Sequence, residues 1–172
     1  FAGRYFKGVK NVQSPDWLQQ KLKAVGLRPI SALVDITNFV MLDLNRPLHV
    51  YDADKIDGKI IVRESKEGES FNALDEKSYD LKDGMCAIAD ERKVLGLGGI
   101  MGGESSGCNE STENVLLESA LFNPINIAKS GRNLSILSDA RYRFERGVDP
   151  QSVLIGIDRA TELISEICGG EI

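Results

Sequence analysis

The 172-residue sequence is poor in the residues that usually announce a chemistry: it has one histidine, one tryptophan and three cysteines. Cys86, Cys108 and Cys168 are odd in number and far apart. They supply neither a zinc spacing nor a disulfide framework, so a reducing, cytoplasmic setting is expected. No run approaches the ~18 consecutive apolar residues of a membrane span, and no membrane partner is expected. Internal repeats and low-complexity tracts are also missing. No serine sits in a nucleophile elbow, no two carboxylates have a glycosidase-like spacing, and no metal cluster is visible. A formal charge of −5 argues against a protein that grips nucleic acid over its whole face, but does not exclude one that receives a strand end. The segment from Lys129 to Arg146 is locally basic, with Arg132, Arg141 and Arg143 set against Asp139 and Glu145.

What is present is ordinary globular material, 42 % hydrophobic and 27 % charged, at a length that fits one domain over 1–172. The chain opens on Phe1 rather than methionine and stops after Gly169-Gly170-Glu171-Ile172, so a fragment of a longer chain is expected.

A weak alternation over Phe1 to Val12 predicts a strand. Ser14-Pro15 then predicts a helix with Ser14 as cap, Pro15 in the first turn and Gly26 as terminator. Ser31 is expected to cap a second helix running to about Leu44, with Asn45 as a left-handed stop and Pro47 barring continuation. The period then changes. Lys59–Arg63, Phe71–Leu81, Met85–Ala89, Lys93–Leu97 and Val115–Leu117 read as strands between turn signals at Glu67-Gly68 and Asp83-Gly84. Pro124 to Gly131 predicts a short helix and Arg141 to Arg146 a strand. Asp149 as cap and Pro150 at the first position predict a closing helix, whose apolar face carries Val153, Leu154, Ile157, Leu163, Ile164 and Ile167. The sum is an α+β fold with a sheet-rich core, its strands mixed or sandwich-like, and helices packed outside.

Three places could carry chemistry. Gly96, Gly98, Gly99, Gly102 and Gly103 crowd one short stretch after a strand, where bare backbone could face a carbonyl or oxyanion. A phosphate loop is disfavoured, because neither glycine fingerprint fits and no Lys-Ser/Thr pair follows. A tight turn without a ligand competes. His49, the lone histidine, can donate, accept or shuttle a proton near neutral pH, or can simply be a structural donor. Glu118 ends an apolar strand, where a carboxylate needs a partner if buried and none if it faces outward.

With these segments in view, the chain resembles the editing domain of the bacterial-type phenylalanyl-tRNA synthetase β subunit. The likeness rests on Ser14-Pro15-Asp16-Trp17-Leu18, Gly26-Leu27-Arg28-Pro29-Ile30 and Val34-Asp35-Ile36-Thr37-Asn38. It continues through Arg46-Pro47-Leu48-His49, Asp52-Ala53-Asp54-Lys55-Ile56 and Gly99-Ile100-Met101-Gly102-Gly103-Glu104. Leu117-Glu118-Ser119-Ala120 and Arg143-Phe144-Glu145-Arg146-Gly147-Val148-Asp149-Pro150 complete a series in family order across nearly the whole chain. The resemblance implies hydrolysis of tyrosine wrongly attached to tRNA(Phe), with ligation performed in the other subunit. It implies that Glu118 reads the tyrosine hydroxyl and that Gly99, Gly102 and Ala140 leave room for the amino acid and the tRNA end. Arg28, His49 and Ser138 would surround the ester, His49 orienting water or substrate. Threonine is common at the Ser138 position, and serine keeps the hydroxyl. The implied partners are the acceptor end of tRNA(Phe) and the α subunit of an α2β2 enzyme. ATP and Mg2+ would serve the parent enzyme, with no cofactor in this domain. A non-catalytic tRNA- or subunit-binding module of the same enzyme is the alternative.

Overall fold

The computed structural model describes all residues, Phe1–Ile172. The chain resolves into two compact units, each discontinuous in sequence. The first comprises Phe1–Asp54, Cys108–Ala120 and Asp149–Ile172, and the second Lys55–Gly107 and Leu121–Val148. Every sheet is antiparallel, and the fold is α+β.

In the first unit, β1 (Ala2–Lys7), β2 (Leu48–Asp52) and β9 (Asn114–Ser119) form a sheet in the order β1-β9-β2. The late strand β9 therefore lies between two early ones, which only a long-range pairing can produce. Helices α1 (Asp16–Ala24), α2 (Ala32–Leu44) and α5 (Ser152–Ile167) complete the unit. Phe6, Val50, Val115 and Leu117 from the sheet meet Leu22, Leu33, Ile36, Val40, Ile157 and Ile164 from the helices in one buried cluster. Strand alternation sends the neighbouring side chains, including Glu118, to the opposite face.

Local signals hold with two shifts of start. Asn45 adopts the left-handed conformation that ends α2, and Gly26, at φ 83°, closes the turn after α1. Ser14, expected to cap α1, is buried instead and its hydroxyl donates to Asp35 Oδ2 at 2.5 Å, so Pro15 holds the cap position. Asp35 also accepts from the Ile30 amide at 2.9 Å, which ties the start of α2 to the loop before it. Helix α5 begins two residues beyond Pro150, because Asp149 Oδ1 first accepts from the Gln151 amide in a separate turn.

Arg46 is wholly buried in this unit without a carboxylate bonded to it. Its guanidinium donates to Ala120 O at 2.7 Å, to Ser152 Oγ at 2.8 and 3.0 Å, and to Asp149 O. A Cβ at Gly156 would lie 2.5 Å from Arg46 Cγ, so glycine there makes room for the arginine stem.

The second unit contains β3 (Ile61–Glu64), β6 (Cys86–Ala89), β7 (Val94–Leu97) and β8 (Met101–Gly102) as a four-stranded sheet in that order. The expected long strand Phe71–Leu81 is a hairpin, β4 (Ser70–Asn72) and β5 (Ser78–Asp80), bent at Glu76 with φ 63°. Helix α3 (Pro124–Asn133) starts on Asn123, whose side chain accepts from the Ile125 and Asn126 amides at 2.9 and 3.2 Å.

Arg141–Arg146 is not a strand. Helix α4 spans Asp139–Phe144, capped by Ser138, whose Oγ accepts from the Arg141 amide at 3.0 Å. The pairs Arg143–Asp139 at 3.0 Å and Arg141–Glu145 at 2.9 Å have the four-residue spacing of a helix. Arginines alternate with Tyr142 and Phe144 as they would in a strand, yet Tyr142 is exposed and Arg141 is buried. It fits because Gly131 has no Cβ to strike it, and its NH1 donates to Ile136 O at 2.5 Å.

Candidate functional site

Glu118 and His49 stand directly opposite each other across the β9–β2 ladder, on the face turned away from the first unit's apolar cluster. On the other flank Glu118 is paired with Gly3 of β1, which has no side chain to fill the space beside it. Tyr51 lies two residues beyond His49 and therefore on the same face. Its ring meets the imidazole edge-on, with centroids 4.4 Å apart. From there it reaches diagonally across the ladder, and its hydroxyl donates to Glu118 Oε2.

Glu118 is 6 % exposed. Burial pushes its carboxyl up to about 7, against the smaller opposing pull of the Tyr51 hydrogen bond. Oε2 is taken by Tyr51, and Oε1 makes no hydrogen bond with the chain. A carboxyl poised near neutrality with one free oxygen is an acceptor waiting for a donor.

His49 is half-buried. Its Nε2 is enclosed and has no hydrogen-bond partner. Burial lowers its basicity to about 4, so the ring is neutral at physiological pH. A general base works best with a pKa near the operating pH. At about 4, His49 is better suited to orienting a water or a substrate than to removing a proton.

The other expected residues fall as follows. Arg28 belongs to the first unit, exposed on the loop between α1 and α2. Gly99, Gly102, Ser138 and Ala140 belong to the second. There the structure brings Ser138 to the glycine-rich turn: its Oγ donates to Ile100 O at 2.6 Å, leaving the hydroxyl only its acceptor capacity. Ala140 follows in the first turn of α4 and is half-buried.

The glycine-rich stretch is the β7–β8 hairpin, followed only by a single 3-10 turn over Glu104–Ser106 and not by the α-helix of a phosphate loop. Its glycines serve close packing first. A Cβ at Gly98 would come within 2.6 Å of the Phe122 ring. One at Gly99, where φ is +69°, would come within 2.8 Å of Phe122 and 3.1 Å of Phe144. The Gly98, Ile100 and Gly103 amides donate to the chain's own carbonyls, which leaves the Gly99 amide without a backbone acceptor. No group of three or more His, Cys, Asp or Glu side chains is gathered that could hold a metal ion. No helix is long and apolar enough to cross a membrane.

Sequence reasoning missed Tyr51, although the signal was present: a second polar ring two positions from His49 shares its strand face. Arg46 was missed as well, since nothing local marks an arginine as buried.

Residues 1–169 match the family model of the B3/4 domain. The chain belongs to the B3/4 domain family. It is 59 % identical over 170 residues to the phenylalanine–tRNA ligase β subunit of Bradyrhizobium diazoefficiens, covering 99 % of this chain and 21 % of that protein. Against the same subunit of Mesorhizobium japonicum it is 57 % identical over 171 residues, with the same coverage of each. The chain thus spans about a fifth of the length of these relatives, 21 % in each case. Its fold is similar to a crystal structure of an N-terminal fragment of the phenylalanyl-tRNA synthetase β subunit from Pyrococcus horikoshii. That likeness has a TM-score of 0.57 at 14 % identity over 96 % of this chain and 45 % of the other.

Proposed function

We propose that this domain hydrolyses the ester of tyrosine mischarged onto tRNA(Phe), as the editing part of a phenylalanine–tRNA ligase. One observation carries the reading: a buried carboxyl, Glu118, keeps one oxygen free beside a neutral histidine that has an unpartnered buried nitrogen. Tyrosine differs from phenylalanine by one hydroxyl. A site built to bond that hydroxyl can reject the analogue lacking it by ~10⁴–10⁵, because its buried acceptor is then left unpaired. Glu118 accepts from the substrate phenol, and His49 orients the attacking water or the ester. No covalent nucleophile is required, since an aminoacyl ester yields to a positioned water with donors on the developing oxyanion. Arg28, Gly99, Gly102, Ser138 and Ala140 enter this reading through the family resemblance.

In the same reading the parent enzyme joins phenylalanine to tRNA with ATP and Mg2+ at a site in the α subunit. This domain's partners are then the acceptor end of tRNA(Phe) and the rest of an α2β2 assembly. The test is single-turnover release of tyrosine from Tyr-tRNA(Phe) by the intact enzyme, with and without Glu118→Ala. The variant is expected to shrink the preference for Tyr- over Phe-tRNA by about ten-fold or more, since ~1.4 kcal/mol is one factor of ten. Equal loss of both rates would leave Glu118 as a support rather than a reader. An intact enzyme that releases no tyrosine would make the domain a binding module.

A further inference from the structure

Tyr51 lies outside the first unit's apolar cluster and outside the residues implied by the resemblance, yet it is 2 % exposed and spends its hydroxyl on Glu118. A glutamate side chain ends in a carboxylate whose last torsion is broad, so a lone buried Glu presents no fixed acceptor direction. Bonding one oxygen to a rigid neighbour removes that freedom and sets the direction of the other. Tyr51 is such a neighbour: its backbone is in β2, and its ring is braced edge-on against His49. Its phenol is also the same chemical group as the one Glu118 would read in a substrate.

We propose that Tyr51 is a positioning residue for substrate discrimination, tying Glu118 through Oε2 so that Oε1 stands as the one open acceptor for a substrate phenol. This rests on the assignment of Glu118 to reading tyrosine. With the substrate bound, the carboxylate lies between two phenolic donors, one from the chain and one from the ligand. Each donor favours the charged form in a setting that otherwise disfavours it. Of the groups on this face, His49 and Tyr51 come from β2 and Gly3 from β1. The Tyr51 hydrogen bond bears on both the direction and the charge of this carboxyl.

The experiment measures deacylation of Tyr-tRNA(Phe) and Phe-tRNA(Phe) by the intact two-subunit enzyme across neutral pH, with spontaneous hydrolysis subtracted. Wild type, Tyr51→Phe and Glu118→Ala are compared. Tyr51→Phe keeps the ring and its contact with His49 and deletes only the donor. The preference for the tyrosyl ester is expected to fall roughly three- to ten-fold at neutral pH. The pH at which the preference sets in should rise by about one unit, one unit being a factor of ten in the carboxylate's ionisation. At higher pH the part of the preference lost to protonation should return, and the part lost with the fixed direction of Oε1 should not. Because each ratio compares two substrates on the same enzyme preparation, partial loss of folded protein cancels. The proposal is overturned if Tyr51→Phe leaves both the preference and its pH onset in place while Glu118→Ala abolishes the preference. It is also overturned if Tyr51→Phe lowers both rates alike with the onset unmoved, which is damage to the fold. If Glu118→Ala itself leaves the preference intact, the underlying assignment of Glu118 fails first and takes the Tyr51 role with it.

Discussion

Glu118 and His49 should give the first unit a pH dependence of stability that is hidden until one of them is removed. Burial raises the folded carboxyl from 4.5 to about 7 and lowers the folded imidazole from 6.5 to about 4. Between 4.5 and about 7 the unfolded chain has lost the Glu118 proton while the folded chain still holds it, so stability falls as pH rises. Between about 4 and 6.5 the unfolded chain has gained a His49 proton that the folded chain refuses, so stability rises with pH. Each pH unit of such a difference is worth about 1.4 kcal/mol, so each group alone spans at most about 3.5 kcal/mol. The two slopes have opposite signs over most of the same window and largely cancel in the wild type. Glu118→Gln should expose the histidine, with stability climbing by about 2–3 kcal/mol as pH rises through that window. His49→Gln should expose the carboxyl, with stability dropping by a similar amount towards neutrality. Trp17, the sole tryptophan, packs edge-on against Phe39 in this unit, so its fluorescence in urea titrations reports the relevant unfolding. If Glu118 and His49 were instead a charged pair in the folded state, each shift would be reversed. A Glu118→Gln variant with no rising slope would refute the argument.

Three further outcomes are expected. His49→Ala should slow tyrosyl-ester hydrolysis by less than the ~10²–10⁴-fold of a lost general base, which single-turnover rates check. Tryptophan at Gly102 or Ala140 should abolish editing in the intact enzyme without unfolding it, and full hydrolysis with unchanged circular dichroism would remove that position from the pocket. Arg46→Met should cost the first unit roughly 1–3 kcal/mol in urea unfolding, because the buried Ala120 carbonyl loses its donor, whereas Asp149 O keeps the Ser152 amide and hydroxyl.

Much of the secondary structure was legible because its causes are local. Pro47, Asn45 and the apolar spacing of α2 and α5 lie within a turn or two of the boundaries they set. The errors share the opposite origin. Ser14 has the right chemistry for a cap, but its hydroxyl is claimed by Asp35, 21 positions away. Arg141–Arg146 alternates like a strand, but the glycine in α3 that admits Arg141 to the interior lies ten positions away. Of the site, Glu118 and His49 could be nominated from residue type, but their direct opposition depends on the β9–β2 register. The hydroxyl of Tyr51 on Glu118 spans 67 positions, beyond any local pattern. The glycine-rich hairpin was legible as bare backbone; that Phe122 and Phe144 lie against it was not.

The arginine at position 46 has a topological meaning as well. Ala120 and Asp149 are the last residue before the chain leaves the first unit for the second and the first residue after it returns. By donating to both of their carbonyls, one guanidinium fastens the two feet of the 121–148 excursion to the same spot. A segment whose feet are fastened can open and reclose without the ladder of β1, β9 and β2 losing register, since its closure entropy stays small and fixed. Amide exchange should then divide in two, with α3 and α4 opening in local events while β9 exchanges only when the whole first unit unfolds.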